Sequence, residues 1–333
     1  MTIPVRTEAP RRPRSTGPML LPGAWVEVLP AAEILRTLDE DQSLDGLPFM
    51  PEMLPYCGKR YRVALRAERT CINPPEVPFR RLRDSVVLEG LRCDGSLHGG
   101  CQLGCMFLWK EAWLRRAPAD PPAEPALEPK DLPTLRATSR SDQERFVCQA
   151  TELPRATQPG EPIWRPGQYL RFLRVRTLNQ RELLAMYGRP IVRRAGWLVG
   201  SLVPRRGAAA AAIETRLGLK PGEWVQVRSR DEIQQTLDGE GRQKGLAFST
   251  DMYRQSGRRM KVLKRVERVI VEETGRLHPV HDTVILEGSI CDRYRGCGRG
   301  MPILWREAWL KRVEQASGLQ ALDSEGSPSV HQA

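Results

Sequence analysis

Along the chain, apolar side chains return every second residue in short runs. Val26 and Val28 behind Trp25, and Val225 and Val227 behind Trp224, each follow a Pro-Gly pair and predict a strand. Tyr61, Val63 and Leu65 alternate in the same way, as do Val86 and Leu88. Elsewhere the period lengthens. Ile233 and Leu237 stand four apart behind Ser229 and Glu232, which are spaced as a capping box, and this predicts a short helix. Further helices are expected over Arg181 to Met186 and over the alanine run Ala208–Ala212. The pattern is that of a mainly β chain with short helices, an α+β class with small bent sheets or barrels.

The pattern also occurs twice. GAWVEVLPAAEILRTLD from Gly23 answers GEWVQVRSRDEIQQTLD from Gly222, and DSVVLEG from Asp84 answers DTVILEG from Asp282. LWKEAWL from Leu108 answers LWREAWL from Leu304. Self-similarity of this extent predicts two tandem homologous modules, at 20–117 and 219–315. The PGxWVxV opening of each resembles the first strand of SH3-like barrels, which implies a small barrel and by itself no function. Residues 118–142 are a Pro-, Ala- and acid-rich linker, and 143–218 a basic, partly helical connector. The ends, 1–19 and 316–333, read as disordered.

Eight cysteines change the picture, because they are unevenly placed. Cys93, Cys101 and Cys105 share with His98 a loop carrying Gly95, Gly99, Gly100 and Gly104. Glycines let a loop turn several side chains toward one point, and thiolates favour zinc or iron–sulfur centres. A closed site needs four donors. The expected set is Cys71, Cys93, Cys101 and Cys105, with His98, Cys57 and Cys148 as alternates. The spacing departs from paired CxxC knuckles, so buried packing and thiol chemistry remain open readings. In the latter, Cys101 or Cys105 would act as nucleophile beside His98. The second module keeps Cys291 and Cys297 but has Met301 for Cys105 and Ser256 for Cys57. Together with His278 and His281, Cys291 and Cys297 form a weaker candidate site, weighed against its loss in this copy.

Charge adds a partner class. Lys and Arg number 52 against 40 Asp and Glu, a net +12. Arginines crowd residues 165–206 and the stretch from Arg254 to Arg268, so Arg171, Arg174, Arg176, Arg258, Arg259 and Lys261 are candidate nucleic-acid contacts. A solvated face is the plainer account of such runs. Phosphate loops, dinucleotide fingerprints, HExxH and GxSxG are all missing from the sequence. The apolar runs are too short for a signal or a membrane span. These features suggest a cytoplasmic metal-binding protein, a scaffold for a protein or nucleic-acid partner, the alternative being a thiol- or iron–sulfur-dependent enzyme that uses Cys101 and Cys105 with His98.

Overall fold

A computed structural model describes residues 19–72, 80–118, 139–140, 145–160, 167, 173, 216–291 and 297–313. The expected helices over 181–186 and 208–212, most of the 118–142 linker, and Arg171, Arg174 and Arg176 lie outside the described residues. The chain is mainly β, with short helices and several antiparallel sheets. Among the described residues, no helix is long and apolar enough to cross a membrane.

The first unit is built on five strands lying side by side: Trp109–Lys110, Ser85–Leu88, Arg60–Arg66, Trp25–Val28 and Leu114–Arg116. Trp25–Val28 is central because it pairs on both edges. Val26 faces Tyr61 on one side and Arg116 on the other. The long strand carries a bulge between Val63 and Leu65, which bends the sheet over its core. A single 3-10 turn, Glu111–Trp113, separates Trp109–Lys110 from Leu114–Arg116. It drops Trp113 into the core, where Val26, Val28, Ile34, Val63 and Trp109 are also fully buried.

The second unit repeats this order with Pro302–Arg306, Thr283–Ile290, Arg259–Arg265, Trp224–Val227 and Leu310–Arg312. Its bulge falls between Val262 and Lys264, and its 3-10 turn is Glu307–Trp309. The expected capping box forms, with Ser229 and Glu232 satisfying each other at the start of Arg230–Gln234. Corresponding side chains do corresponding work. Trp113 Nε1 donates to Thr37 Oγ1, and Trp309 Nε1 to Thr236 Oγ1, each at 3.1 Å.

The compact units do not follow the boundaries 20–117 and 219–315. Glu267–Val280 and Ile290–Pro302 belong to the first unit. The reason lies in their hydrogen bonds. Gln102 donates its amide to Arg268 O at 3.0 Å, and its side-chain oxygen accepts the amides of Glu267 and Arg268 at 2.6 and 3.2 Å. Gly298 N donates to Arg69 O at 2.7 Å. An added Cβ at Gly298 would meet Ala67 Cα at 2.6 Å, so only glycine permits that approach.

The recurring carboxylate of the W[KR]EAW motif is a structural tie. Glu111 pairs with buried Arg66 and accepts Leu20 N at 2.9 Å, while Arg66 also reaches Leu20 O at 2.7 Å. In the second unit Glu307 pairs with Arg265 at 2.5 Å and accepts the amides of Leu217, Gly218 and Leu219. Burial would raise the Glu307 carboxyl. The amides of Leu219, Gly218 and Leu217 and the Arg265 guanidinium outweigh burial and hold it below its ordinary 4.5. A depressed folded value contributes stability that is full above the unfolded value and lost as pH falls through the folded one. Glu307→Gln should therefore flatten the acid limb of the stability profile below pH 4.5, measured by urea denaturation across pH. Glu111→Ala, which leaves buried Arg66 with Glu68 as its counter-charge but removes the acceptor of the Leu20 amide, should cost about 1–3 kcal/mol in the same assay.

Candidate metal centre

The cysteine loop is closed at its neck by backbone pairing. Cys93 N donates to Cys105 O at 2.8 Å, and Arg92 bridges Met106 in the next register position. This sets Cys93 and Cys105 across from each other. Above the neck the chain coils tightly, with His98 N and Gly100 N both donating to Gly95 O at 2.9 and 3.0 Å. Cys101 N then donates to His98 O at 3.2 Å. Gly95 sits at φ +74°, and any Cβ there would collide with the Cys101 carbonyl. The coil that presents Cys101 thus exists only because residue 95 is glycine.

A fourth thiol arrives from a distant segment. The Gln149 side chain binds both backbone groups of Leu108: its oxygen accepts Leu108 N and its Nε2 donates to Leu108 O, each at 2.8 Å. Nε2 also donates to Pro48 O at 3.1 Å. This clamp holds Cys148 beside the loop, and Thr151 Oγ1 fixes the local turn by accepting Cys148 N at 2.9 Å. Cys93, Cys101, Cys105 and Cys148 consequently line one pocket of about 40 Å³, with Met50, Leu153 and Ile270 among its apolar walls. Ile270 N donates to Cys101 Sγ at 3.4 Å.

The thiols feel one another. Burial, then the charge of Glu52 and more weakly Cys148 and Cys101, pushes Cys93 up to about 12, against an opposing Gly95 amide. Burial raises Cys105 well above its ordinary value, with Arg299 opposing and Cys148 and Cys101 adding. Cys148 is raised too, by burial and in smaller part by Cys101, although the amides of Thr151 and Ala150 act against it.

His98 is 1% exposed and already engaged. Its Nδ1 stands 2.5 Å from Glu52 Oε1 and its Nε2 3.2 Å from Val147 O. Among the described residues, Glu52, Cys93 and His98 form the one set of three ligating side chains whose donor atoms lie within 4.8 Å of one another. An oxygen and a nitrogen 2.5 Å apart stand closer than two ligands of one tetrahedral ion. Glu52 thus abuts the His98 ring. It stands on the 3-10 turn Pro51–Tyr56, with no spacing to the cysteines that a motif search would find.

The structure separates the expected set. Cys93, Cys101 and Cys105 come together, but their pocket companion is Cys148, while Cys71 lies 3.5 Å from Cys297. Cys57 is packed in the core, where burial raises its thiol to about 11. Of the weaker site, His278 and His281 are both exposed, His278 pairing with Val269 across a hairpin and His281 O accepting Arg306 at 2.5 Å. Cys291 N donates to Met301 O at 2.7 Å, the counterpart of the Cys93–Cys105 neck. Arg258 and Arg259 are exposed and Lys261 is half-buried.

Comparison with known proteins adds no relative. No family model, no curated protein and no solved structure matches the chain. The site must be read from its own chemistry.

Gln149→Ala should leave Cys148 untethered and lower metal affinity roughly 10–100-fold, the usual effect of losing a group that orients a ligand. Competition with a chromogenic chelator measures this. Gly95→Ala, which prevents the coil itself, should abolish stoichiometric binding in the same titration.

Proposed function

We propose that the first unit holds a thiolate metal centre, with Cys93, Cys101, Cys105 and Cys148 as its ligands. The observation that carries this reading is the convergence, in one apolar pocket, of three thiols from a glycine-rich loop and a fourth brought by the Gln149 clamp. Half-buried free thiols in an apolar wall that raise one another's pKa are an arrangement a cation relieves.

The spacing favours an iron–sulfur cluster over a single zinc ion. One tetrahedral zinc, with bonds of about 2.3 Å, draws its sulfurs to roughly 3.8 Å from one another. No three sulfurs of the quartet come within 4.8 Å of each other among the described residues. A cluster spreads its four thiolates farther apart, because its own irons and sulfides stand between them. The apolar walls and the Ile270 amide on Cys101 suit such a group, since solvent exclusion and N–H···S bonds tune its potential. A cluster would supply one-electron transfer or a rigid brace. The chain's own residues place the sulfurs and set apolar side chains around them.

The thiol-enzyme alternative has less support. His98 contacts Glu52 and Val147 O, and burial raises the Cys105 thiol, the reverse of an activated nucleophile. For the chain as a whole we infer a pair of SH3-like modules in a reducing, cytoplasmic setting. The shared strand order, the doubly paired first strand and the 3-10 turn before the last strand support the barrel reading. The second module, with Arg258 and Arg259 exposed, is the surface we assign to a protein or nucleic-acid partner.

Anaerobic purification followed by metal and sulfide analysis tests the centre. Iron with labile sulfide and a broad visible absorption is the expected result, lost together with thermal stability in Cys148→Ser and Cys93→Ser but retained in Cys57→Ser. About one zinc per chain would keep the thiolate centre and replace the cluster. Protein without either metal, or Cys148→Ser with full metal content, would overturn the reading.

A further inference from the structure

The sulfurs outside the quartet form a second arrangement. Cys71 Sγ and Cys297 Sγ lie 3.5 Å apart although the residues are 226 positions distant in the chain. We propose that Cys71 and Cys297 are a redox-active dithiol, oxidised by a hydroperoxide to a disulfide that fixes the segment from Cys297 to Met301 beside the metal pocket. The pair stands apart from the proposed ligands, so the proposal does not depend on which metal the quartet holds.

Three features of the surroundings prepare the pair. First, the approach is built in: Gly298 packs on Ala67 without room for a Cβ, and its amide is bound to Arg69 O. Cys297 is thereby held against the segment that carries Cys71. Second, a cation is fixed alongside. Arg299, 6% exposed, grips Glu272 with both terminal nitrogens at 2.8 and 2.5 Å and reaches Cys71 O at 3.3 Å. Third, the two thiols are electrically unequal. The bond between the two sulfurs, helped by the amides of Arg299 and Cys71, brings Cys297 down to about 7 although it is 2% exposed. The same bond, with burial, pushes Cys71 up. One thiolate beside one thiol is the pairing that an attacking and a resolving cysteine require.

The reaction balances as follows. The Cys297 thiolate attacks the outer oxygen of a hydroperoxide, and the O–O bond breaks to give Cys297 sulfenic acid and an alkoxide, which takes up a proton as the alcohol. Cys71 then loses its proton and attacks the sulfenic sulfur; the S–O bond breaks, and hydroxide leaves as water with that proton. Two thiols are oxidised, one hydroperoxide is reduced, and an external dithiol restores the starting state. Because Arg299 and Met301 line the quartet's pocket, the cross-link would act on the wall of that pocket.

The test uses the full chain purified anaerobically, with hydrogen peroxide as oxidant. Remaining thiols are alkylated and the protein is digested without reductant for mass spectrometry. A peptide joining Cys71 to Cys297, lighter by two hydrogens and lost on treatment with dithiothreitol, is expected. In Cys71→Ser and Cys71→Ala, Cys297 should instead accumulate as a sulfenic acid trapped by dimedone. If both residues remain fully alkylatable after other cysteines have been oxidised, or if either is joined to a different partner, the proposal fails. Metal content, measured on the same samples, reports on the quartet separately.

Discussion

The site depends on a pair of hydrogen bonds between one side chain and one residue's backbone, Gln149 on Leu108. Leu108 leads directly into Trp109, whose ring is fully buried, so the clamp fastens a long-range segment to the most rigid part of the sheet. Each bond adds on the order of 1 kcal/mol, but removing the amide would strand two buried backbone groups at about 1–3 kcal/mol apiece. That asymmetry makes the placement of Cys148 specific. It also explains why a loop rich in glycine, costly in conformational entropy, can be held in one arrangement.

The two units divide structure from chemistry. What they share is the means of closing a sheet: the doubly paired first strand, the tryptophan of the 3-10 turn with its threonine partner, and a buried carboxylate tying the lead-in segment to an arginine. What they do not share is the sulfur set. In the repeated sequence, Cys105 at the neck of the loop answers to Met301, which keeps the apolar bulk and gives up the ionisable group. Glu111 and Glu307 show that a repeated acid need not be catalytic. Glu111 binds one amide and a guanidinium, and Glu307 three amides and a guanidinium, so both tie segments together.

Much of the fold was legible because local rules and tertiary structure agree. Alternation placed Trp25–Val28, Arg60–Arg66 and Ser85–Leu88 as strands, and the Ser229–Glu232 spacing placed a helix start. The site was legible only in part. The loop glycines and thiols announce themselves, and three of the four expected ligands share a pocket. Cys148 stood among the alternates because its position comes from an amide clamp with no periodicity. Cys71 was drawn into the set by its nearness in sequence, whereas in space it faces Cys297. The unit boundaries were missed for a related reason: Gln102 mimics a strand edge toward Glu267 and Arg268, and a single side chain leaves no pattern.

Arg299 links the two sulfur sites electrostatically, since its charge lowers both Cys105 and Cys71 against the larger effect of burial. Four thiolates around a divalent ion, or around a cluster, leave net negative charge in an apolar wall, and such charge is expensive unless something of opposite sign stands near. A guanidinium is suited to this because it stays ionised when buried. Glu272 offsets part of that charge, and its bidentate contact fixes the guanidinium plane and supplies the anion that compensates the burial of Arg299. The result is a cation whose field reaches the sulfurs from a set direction and whose own charge is paired.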